Sequence, residues 1–231
     1  MCGRYTLTSQ EGLVEDFEAV LDPEAPKNEW FKARYNVAPT QDAPVVRLRE
    51  GVRTLEMMRW GLVPFWGKRE GAKPPLMINA RVESLQSKAV FRDALERRRC
   101  LVPADGFYEW KKEGKLKQPM WIHRDGADHR FFAFAGLYAR AGELHSYTII
   151  TGPPNPLVAP IHDRMPVILA REAWNAWLDP SLSPDEAKQL LLVPPVEGWR
   201  AEPVSPWVNA ADHDDERCIA SPAAPPQGSL F

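Results

Sequence analysis

Apolar positions along this 231-residue chain follow two periods, and the period of two prevails. Thr8-Ser-Gln-Glu11 reads as a capping box, and Leu13, Phe17, Val20 and Leu21 then recur at helical spacing. This predicts a helix over 9–21, stopped by Asp22-Pro23. Val45 to Arg49 and Thr54 to Trp60 read as strands joined at Glu50-Gly51, a hairpin. A second helix is predicted over 84–98, with Leu85, Ala89, Phe91 and Leu95 toward the core and basic residues at its C-terminal end, where the helix dipole favours them. Short β-type runs follow at 100–102, 106–112, 119–123, 130–139, 146–151 and 165–169, with Glu113-Gly114 and Asp125-Gly126 among the turns. Ser183-Pro-Asp-Glu186 supplies an N-cap, a first-turn proline and a glutamate three residues on, which predicts a helix running to about Leu192.

Strands come mostly in succession, with few helices between them. That order argues for an α+β fold: one domain over 1–220, in which antiparallel-rich β-sheets form a barrel-like core flanked by helices. Residues 221–231 are rich in proline, alanine and glycine and are expected to form a disordered tail.

Composition narrows the partners and the compartment. The net charge of -2 does not suggest a nucleic-acid protein overall, so any DNA-binding surface must be a local patch offset by acid elsewhere. Three cysteines at positions 2, 100 and 218 make no disulfide framework and point to a reducing compartment. Neither a membrane-spanning run nor a signal-peptide pattern is present, so the cytoplasm is expected.

Five short segments carry candidate chemistry. Removal of Met1 would leave Cys2 as an N-terminal 1,2-aminothiol, with an amine pKa of roughly 7.7–8.0 and a thiol pKa of about 8.5 before any tuning. Such a group condenses with an aldehyde to a Schiff base that the thiol closes to a thiazolidine. Taken alone, Cys2 also reads as a small residue at a frayed terminus. Asn79 and Arg81 fall on one side of an extended segment, as an amide that orients a sugar oxygen and a guanidinium that clamps phosphate, or as part of a turn entering the next helix. Glu109 sits among aromatic residues, where burial would raise its pKa for acid–base work; it reads otherwise as a strand residue facing solvent beside Lys111 and Lys112. His162-Asp-Arg164 sets an imidazole, a carboxylate and a guanidinium side by side, for catalysis or for loop structure. The five histidines show no zinc-site spacing, and no P-loop or dinucleotide fingerprint occurs, so neither metal nor cofactor is expected. Finally, Gln227-Gly-Ser-Leu230-Phe231 resembles the bacterial sliding-clamp-binding peptide at a flexible end.

Six motifs occur in order: Met-Cys2-Gly-Arg4-Tyr5, Arg34-Tyr-Asn36-Val-Ala-Pro39, Arg59-Trp-Gly-Leu-Val-Pro64, Ile78-Asn-Ala-Arg-Val-Glu83, Ala104-Asp-Gly-Phe-Tyr-Glu109-Trp110 and Ile161-His-Asp-Arg-Met-Pro166. Over residues 2 to about 210 the chain thereby resembles the SRAP (SOS response-associated peptidase) family, the abasic-site sensors of bacteria and eukaryotes. The resemblance implies covalent capture of abasic sites in single-stranded DNA, without a cofactor, by a monomer with a basic DNA channel. It implies that Cys2 is the nucleophile, that Asn79 positions the ring-opened sugar and that Glu109 transfers protons near the Cys2 amine. It assigns His162 to sugar ring opening and reversal, and it makes Arg4 and Arg81 phosphate contacts, with Asn36, Pro39 and Trp66 lining the DNA path. A thiol-type peptidase, as the family name records, is the rival activity for the same residues. Some relatives carry two tryptophans after the Trp-Gly-x-x-Pro segment; here Phe65, Trp66 and Gly67 follow Pro64, leaving open how a flanking base is wedged. Arg4, Arg34, Arg59, Arg81 and Arg164 all lie in the motifs and suggest a positive cleft, and Tyr5, Tyr35, Trp60, Trp66, Tyr108 and Trp110 are candidates for stacking on bases.

Overall fold

The computed structural model describes residues 2–9, 11–23, 32–65, 76–124, 131–192 and 197–222. Strands β1 (Arg4–Leu7), β2 (Val20–Leu21), β3 (Arg34–Val37), β4 (Asp42–Arg49), β5 (Val52–Trp60), β6 (Asn79–Arg81) and β7 (Arg99–Ala104) make up the first half. The second half adds β8 (Gly106–Glu113), β9 (Leu116–Arg124), β10 (Phe132–Ala141), β11 (Leu144–Gly152), β12 (Met165–Pro166), β13 (Ile168–Leu169) and β14 (Trp199–Pro203). Among the described residues four short helices join them: α1 (Leu13–Asp16), α2 (Ala89–Arg97), α3 (Trp174–Leu178) and α4 (Pro184–Gln189).

Five strands close into a barrel. β4 pairs with β5 and β7, β7 with β10, and β10 with β11, all antiparallel, and a short parallel contact between β11 and β5 completes the ring. A second sheet, in the order β14-β9-β8-β1-β3, packs beside it. All six residues of β7 are buried, as expected of a strand covered on both faces. Between the two sheets lies an apolar cluster that includes Tyr5, Trp60, Phe107, Phe134 and Tyr147, and the Tyr5 and Tyr147 hydroxyls hydrogen-bond to each other at 2.7 Å. A second cluster fills the space beneath the helices, where Phe17 stacks on Trp174 at 4.5 Å. The α+β barrel reading thus describes the fold, with less helix than the sequence pattern suggests.

The hairpin at Glu50-Gly51 is present, and both turn residues adopt positive φ (52° and 82°), the geometry that matches the twist of a two-residue hairpin. The capping box at Ser183 and Glu186 also forms, although its helix ends at Gln189. Two expectations fail. The first helix keeps only Leu13–Asp16, because Thr8 is engaged elsewhere: its amide and hydroxyl both donate to Asp105 Oδ2 at 2.6 Å. Glu18 then takes a positive φ of 49°, and Val20 and Leu21 join β5 as a strand. The second helix begins at Ala89, after a 3-10 turn at Val82–Ser84; Ala89 is exposed, and Ala94 takes the inward position beside Phe91 and Leu95. No helix among the described residues is long and apolar enough to cross a membrane. The Asp125-Gly126 turn and the tail beyond Pro222 lie outside the described residues.

Candidate active site around Cys2

Pairing of β1 with β8 brings the start of the chain to the middle of the motif at 104–110. Arg4 lies opposite Tyr108, Tyr5 opposite Phe107 and Thr6 opposite Gly106, so the residues before β1 run alongside Glu109. Asp105 fixes this register: its Oδ1 accepts from the Thr6 hydroxyl at 2.6 Å and its Oδ2 from Thr8. Gly106 is required by close approach, since a Cβ there would meet Trp121 Nε1 at 2.2 Å and Thr6 Oγ1 at 2.7 Å.

Cys2 is fully buried, and its thiol points at the Arg4 carbonyl oxygen at 3.9 Å. Burial pushes the thiol pKa up, and the charge of Glu109 pushes it further. β6 supplies the next group. It pairs in parallel with β11, Ala80 turns into the core, and Asn79 and Arg81 face the other way, as their spacing predicts. The Asn79 side-chain amide donates to the Cys2 carbonyl oxygen at 2.8 Å. Its Oδ1 is buried and has no hydrogen-bond partner among the described residues, so an acceptor is held ready beside Cys2.

Glu109, in β8 opposite Met120, is only 1 % exposed. Burial pushes its carboxyl up to about 7, which puts it midway between acid and base at neutral pH. His162 Nε2 stands 4.0 Å from Glu109 Oε2, an ion-pair separation. The imidazole pKa is lowered, mainly by burial. Its Nδ1 accepts from the Arg164 backbone amide at 3.0 Å when neutral, and Asp163 Oδ1, 2.9 Å away, is its counter-ion when charged. Nδ1 thus lies between a backbone donor and a carboxylate acceptor, while Nε2 faces Glu109.

His162 is held from two sides. Buried Asn155 starts the turn before it, accepting from the Val158 amide at 3.0 Å, and the His162 amide donates to the Val158 carbonyl at 2.9 Å. On the other side Arg164 grips Glu83 with two hydrogen bonds of 2.6 and 2.7 Å, tying the 161–166 loop to the segment that carries Asn79. The arginine side chain holds the Glu83 carboxyl down at about 2.

The remaining site candidates spread outward. Asn36 is fully buried; it accepts from Arg4 Nη1 at 3.1 Å and donates to the carbonyls of Val208, Ala210 and His213. Arg4 also donates to Val208 O at 2.8 Å and is half-buried. Pro39 is half-buried in the turn after β3, Arg81 is exposed, and Trp66 falls outside the described residues, as do Gln227, Leu230 and Phe231. The five motif arginines do not form one positive cleft: Arg34 is paired with Asp214, Arg59 with Asp42 and Arg164 with Glu83, which leaves Arg4 and Arg81 without a carboxylate partner among the described residues. Likewise Tyr5, Trp60 and Tyr108 are buried in the core and cannot stack on a base, whereas Tyr35 and Trp110 are half-buried. Asp105, Asn155 and Asp214 escaped the sequence reading. Asp105 lies inside a recognised motif, next to its glycine, which was the available signal; Asp214, which also accepts from the Tyr35 and Asn36 amides at 2.5 and 2.8 Å, sits in an acidic run with no distinguishing pattern.

Fold and site together define a β-barrel protein organised around a buried cysteine at its N-terminus. The profile of the SOS response associated peptidase (SRAP) family matches residues 1–211, and the chain belongs to that family. Among its relatives, YoqW of Bacillus subtilis is 41% identical over 231 residues, covering 96% of this chain and 100% of that protein. HMCES of Gallus gallus is 32% identical over 260 residues, covering 95% of this chain and 77% of that protein. Both are named abasic site processing proteins. A crystal structure of a Bacteroides thetaiotaomicron protein superposes with a TM-score of 0.81 at 25% identity, covering 95% of this chain and 99% of the other.

Proposed function

We propose that this chain captures abasic sites in single-stranded DNA as a covalent thiazolidine through Cys2, once Met1 has been removed. The observation that carries this reading is the convergence of separate segments on Cys2: the Asn79 amide at 2.8 Å from its carbonyl, Glu109 close enough to raise its thiol pKa, and His162 at 4.0 Å from Glu109. Relatives named for abasic site processing support it.

The chemistry balances without a cofactor. An abasic deoxyribose exists as a closed hemiacetal in equilibrium with a C1′ aldehyde. His162 transfers a proton to open the ring, and the Cys2 amine adds to C1′ to give a carbinolamine. Glu109 in its neutral form protonates the departing hydroxyl, which leaves as water, and a protonated imine remains. The Glu109 carboxylate then takes the thiol proton as the sulfur adds to the iminium carbon, which closes the five-membered ring and returns Glu109 to its neutral form. Aldehyde plus aminothiol yields thiazolidine plus one water. Asn79 Oδ1 accepts from a sugar hydroxyl, and Arg4 and Arg81 hold the adjacent phosphates. Asn36 acts on Arg4 from beneath, and Pro39 and Trp66 complete the DNA path. The burial that keeps the Cys2 thiol protonated argues against a peptidase, which would need a free thiolate. It does not hinder capture, because the amine attacks first.

The protein acts as a monomer at replication forks in this reading, and Gln227, Leu230 and Phe231 dock on the sliding clamp. Comparing clamp binding by the intact chain and by a version ending at Ala224 tests the docking; equal binding rejects it. The capture itself is tested by incubating the protein with abasic single-stranded DNA and seeking a complex that survives denaturation. Cys2→Ala loses this adduct while leaving an amine-linked Schiff base trappable with borohydride. An uncleaved tag before Cys2 abolishes both, and normal crosslinking by the tagged protein would overturn the mechanism.

A further inference from the structure

The hairpin that carries Glu109 continues well past it. β8 and β9 remain paired through Lys111 with Gln118, Lys112 with Lys117 and Glu113 with Leu116. At about 3.3 Å per residue, the outer end stands ~13 Å beyond Glu109. Lysines occupy positions 111, 112, 115 and 117 around this end, in a chain whose net charge is -2. Lys111 is neutralised by Glu113 at 3.2 Å. Lys112, Lys115 and Lys117 are exposed and have no carboxylate within ion-pair distance among the described residues.

Lys112 and Lys117 are also direct cross-strand partners, on the face of the hairpin that carries Trp110. Like charges directly opposite each other in an antiparallel pair destabilise it, so the fold gains nothing from this placement. An anion between the two ammonium groups would reverse the sign. The same face runs inward past Trp110, whose indole donates to Asn209 Oδ1 at 2.7 Å, to Arg4, which lies opposite Tyr108 on β1. Leu116, 75% exposed at the tip, adds an apolar side chain of the kind that packs against bases and sugars. Lys117 is near enough to His162 for its charge to help burial keep the imidazole neutral.

We propose that the outer end of the β8–β9 hairpin is a phosphate-binding site for the DNA strand flanking the lesion, with Lys112 and Lys117 as its paired cations. This rests on the reading that single-stranded DNA occupies the site around Cys2, and it adds a contact region that the six motifs do not contain. The strand would run from Arg4 past Trp110 to the lysine pair, on the face of the hairpin opposite Glu109.

The test is non-covalent binding of undamaged oligodeoxythymidine to the full chain between 50 and 200 mM salt, so that capture chemistry plays no part. Each phosphate neutralised on a single strand contributes about 0.7 to the slope of log affinity against log salt, so Lys112→Ala with Lys117→Ala, which removes one phosphate site, lowers the slope by ~0.7 and the affinity about 5-fold at 0.1 M salt. Lys→Arg at both positions restores both values. The thermal midpoint of the alanine variant stays at or above that of the parent, because a repulsion has been removed. An unchanged slope and affinity, with the parent binding in a salt-dependent way, would overturn the hairpin site and leave the abasic-site reading standing. A parent that does not bind the oligonucleotide at all would overturn both.

Discussion

Two buried glutamates face a histidine in this molecule, and their surroundings make opposites of them. Glu56 on β5 contacts His145 Nδ1 through Oε1 and pairs with Arg47 Nε at 2.5 Å through Oε2. These contacts brace β4, β5 and the β10–β11 hairpin against one another. Glu109 on β8 is buried as deeply, but burial rather than a guanidinium is the largest influence on it, and its carboxyl rises to about 7. The histidine opposite stands at 4.0 Å instead of in contact. The same two residue types thus make a structural ion cluster in one place and, in the proposed mechanism, a proton-transfer pair in the other. Compensation by arginine is what separates them.

The largest expected effect tests that separation directly. Glu109→Gln lowers the initial rate of crosslinking to abasic DNA by a factor on the order of 10²–10⁴, the usual worth of a positioned acid–base group. Glu56→Gln leaves the rate within about twofold, because nothing in the mechanism depends on it. Gel quantification of the adduct at early times decides, and equal losses in the two variants would erase the distinction.

Stability reverses the ranking. Glu56→Gln leaves Arg47 unpaired against the barrel and costs about 3 kcal/mol in denaturant unfolding. For Glu109 the sign follows from a folded pKa of about 7 against an ordinary 4.5. The folded state favours the protonated form, so stability is greatest below pH 4.5 and falls as the pH rises to 7. Above that the penalty is constant, on the order of 3 kcal/mol. Glu109→Gln flattens this window and makes the protein more stable than the parent at pH 8. A variant less stable than the parent at pH 8 would mean that burial does not dominate the Glu109 carboxyl in the folded state.

Smaller effects sharpen the picture. His162→Ala slows transfer of the trapped protein to competitor DNA by roughly tenfold, below the usual worth of a positioned acid–base group because the ring stands off from Glu109. Glu83→Gln weakens the grip on Arg164; since Glu83 is exposed, unfolding should register less than about 1 kcal/mol. Crosslinking should nevertheless slow a few-fold as the His162 loop loosens, and a rate unaffected by Glu83→Gln would remove this clamp from the site.

Much of this was legible in the chain. Period-two runs and turn residues located β4, β5 and β7 to β13 but not β1, β2, β3 or β14, and the serine–glutamate box at 183–186 located α4 because a local capping signal is satisfied locally. The first helix was misjudged because a tertiary partner, Asp105, takes the threonine that would have capped it. Asn79 and Arg81 share a side because alternation in a strand guarantees it, whereas the burial of Asn36, Tyr5 and Tyr108 depends on which sheet packs where, and local pattern does not encode that. The motif arginines looked alike in sequence. Only the fold sorts them into those bound by Asp42, Asp214 and Glu83 and those, Arg4 and Arg81, with no carboxylate partner among the described residues.

The most direct test of the central claim is the intact mass and peptide map of the complex formed between the mature protein and an abasic oligonucleotide. The account predicts a chain lacking Met1, joined to the oligonucleotide with loss of one water, with the linkage on the Cys2 peptide and its thiol resistant to alkylation. An adduct on a lysine, or one on a chain that retains Met1, would contradict it.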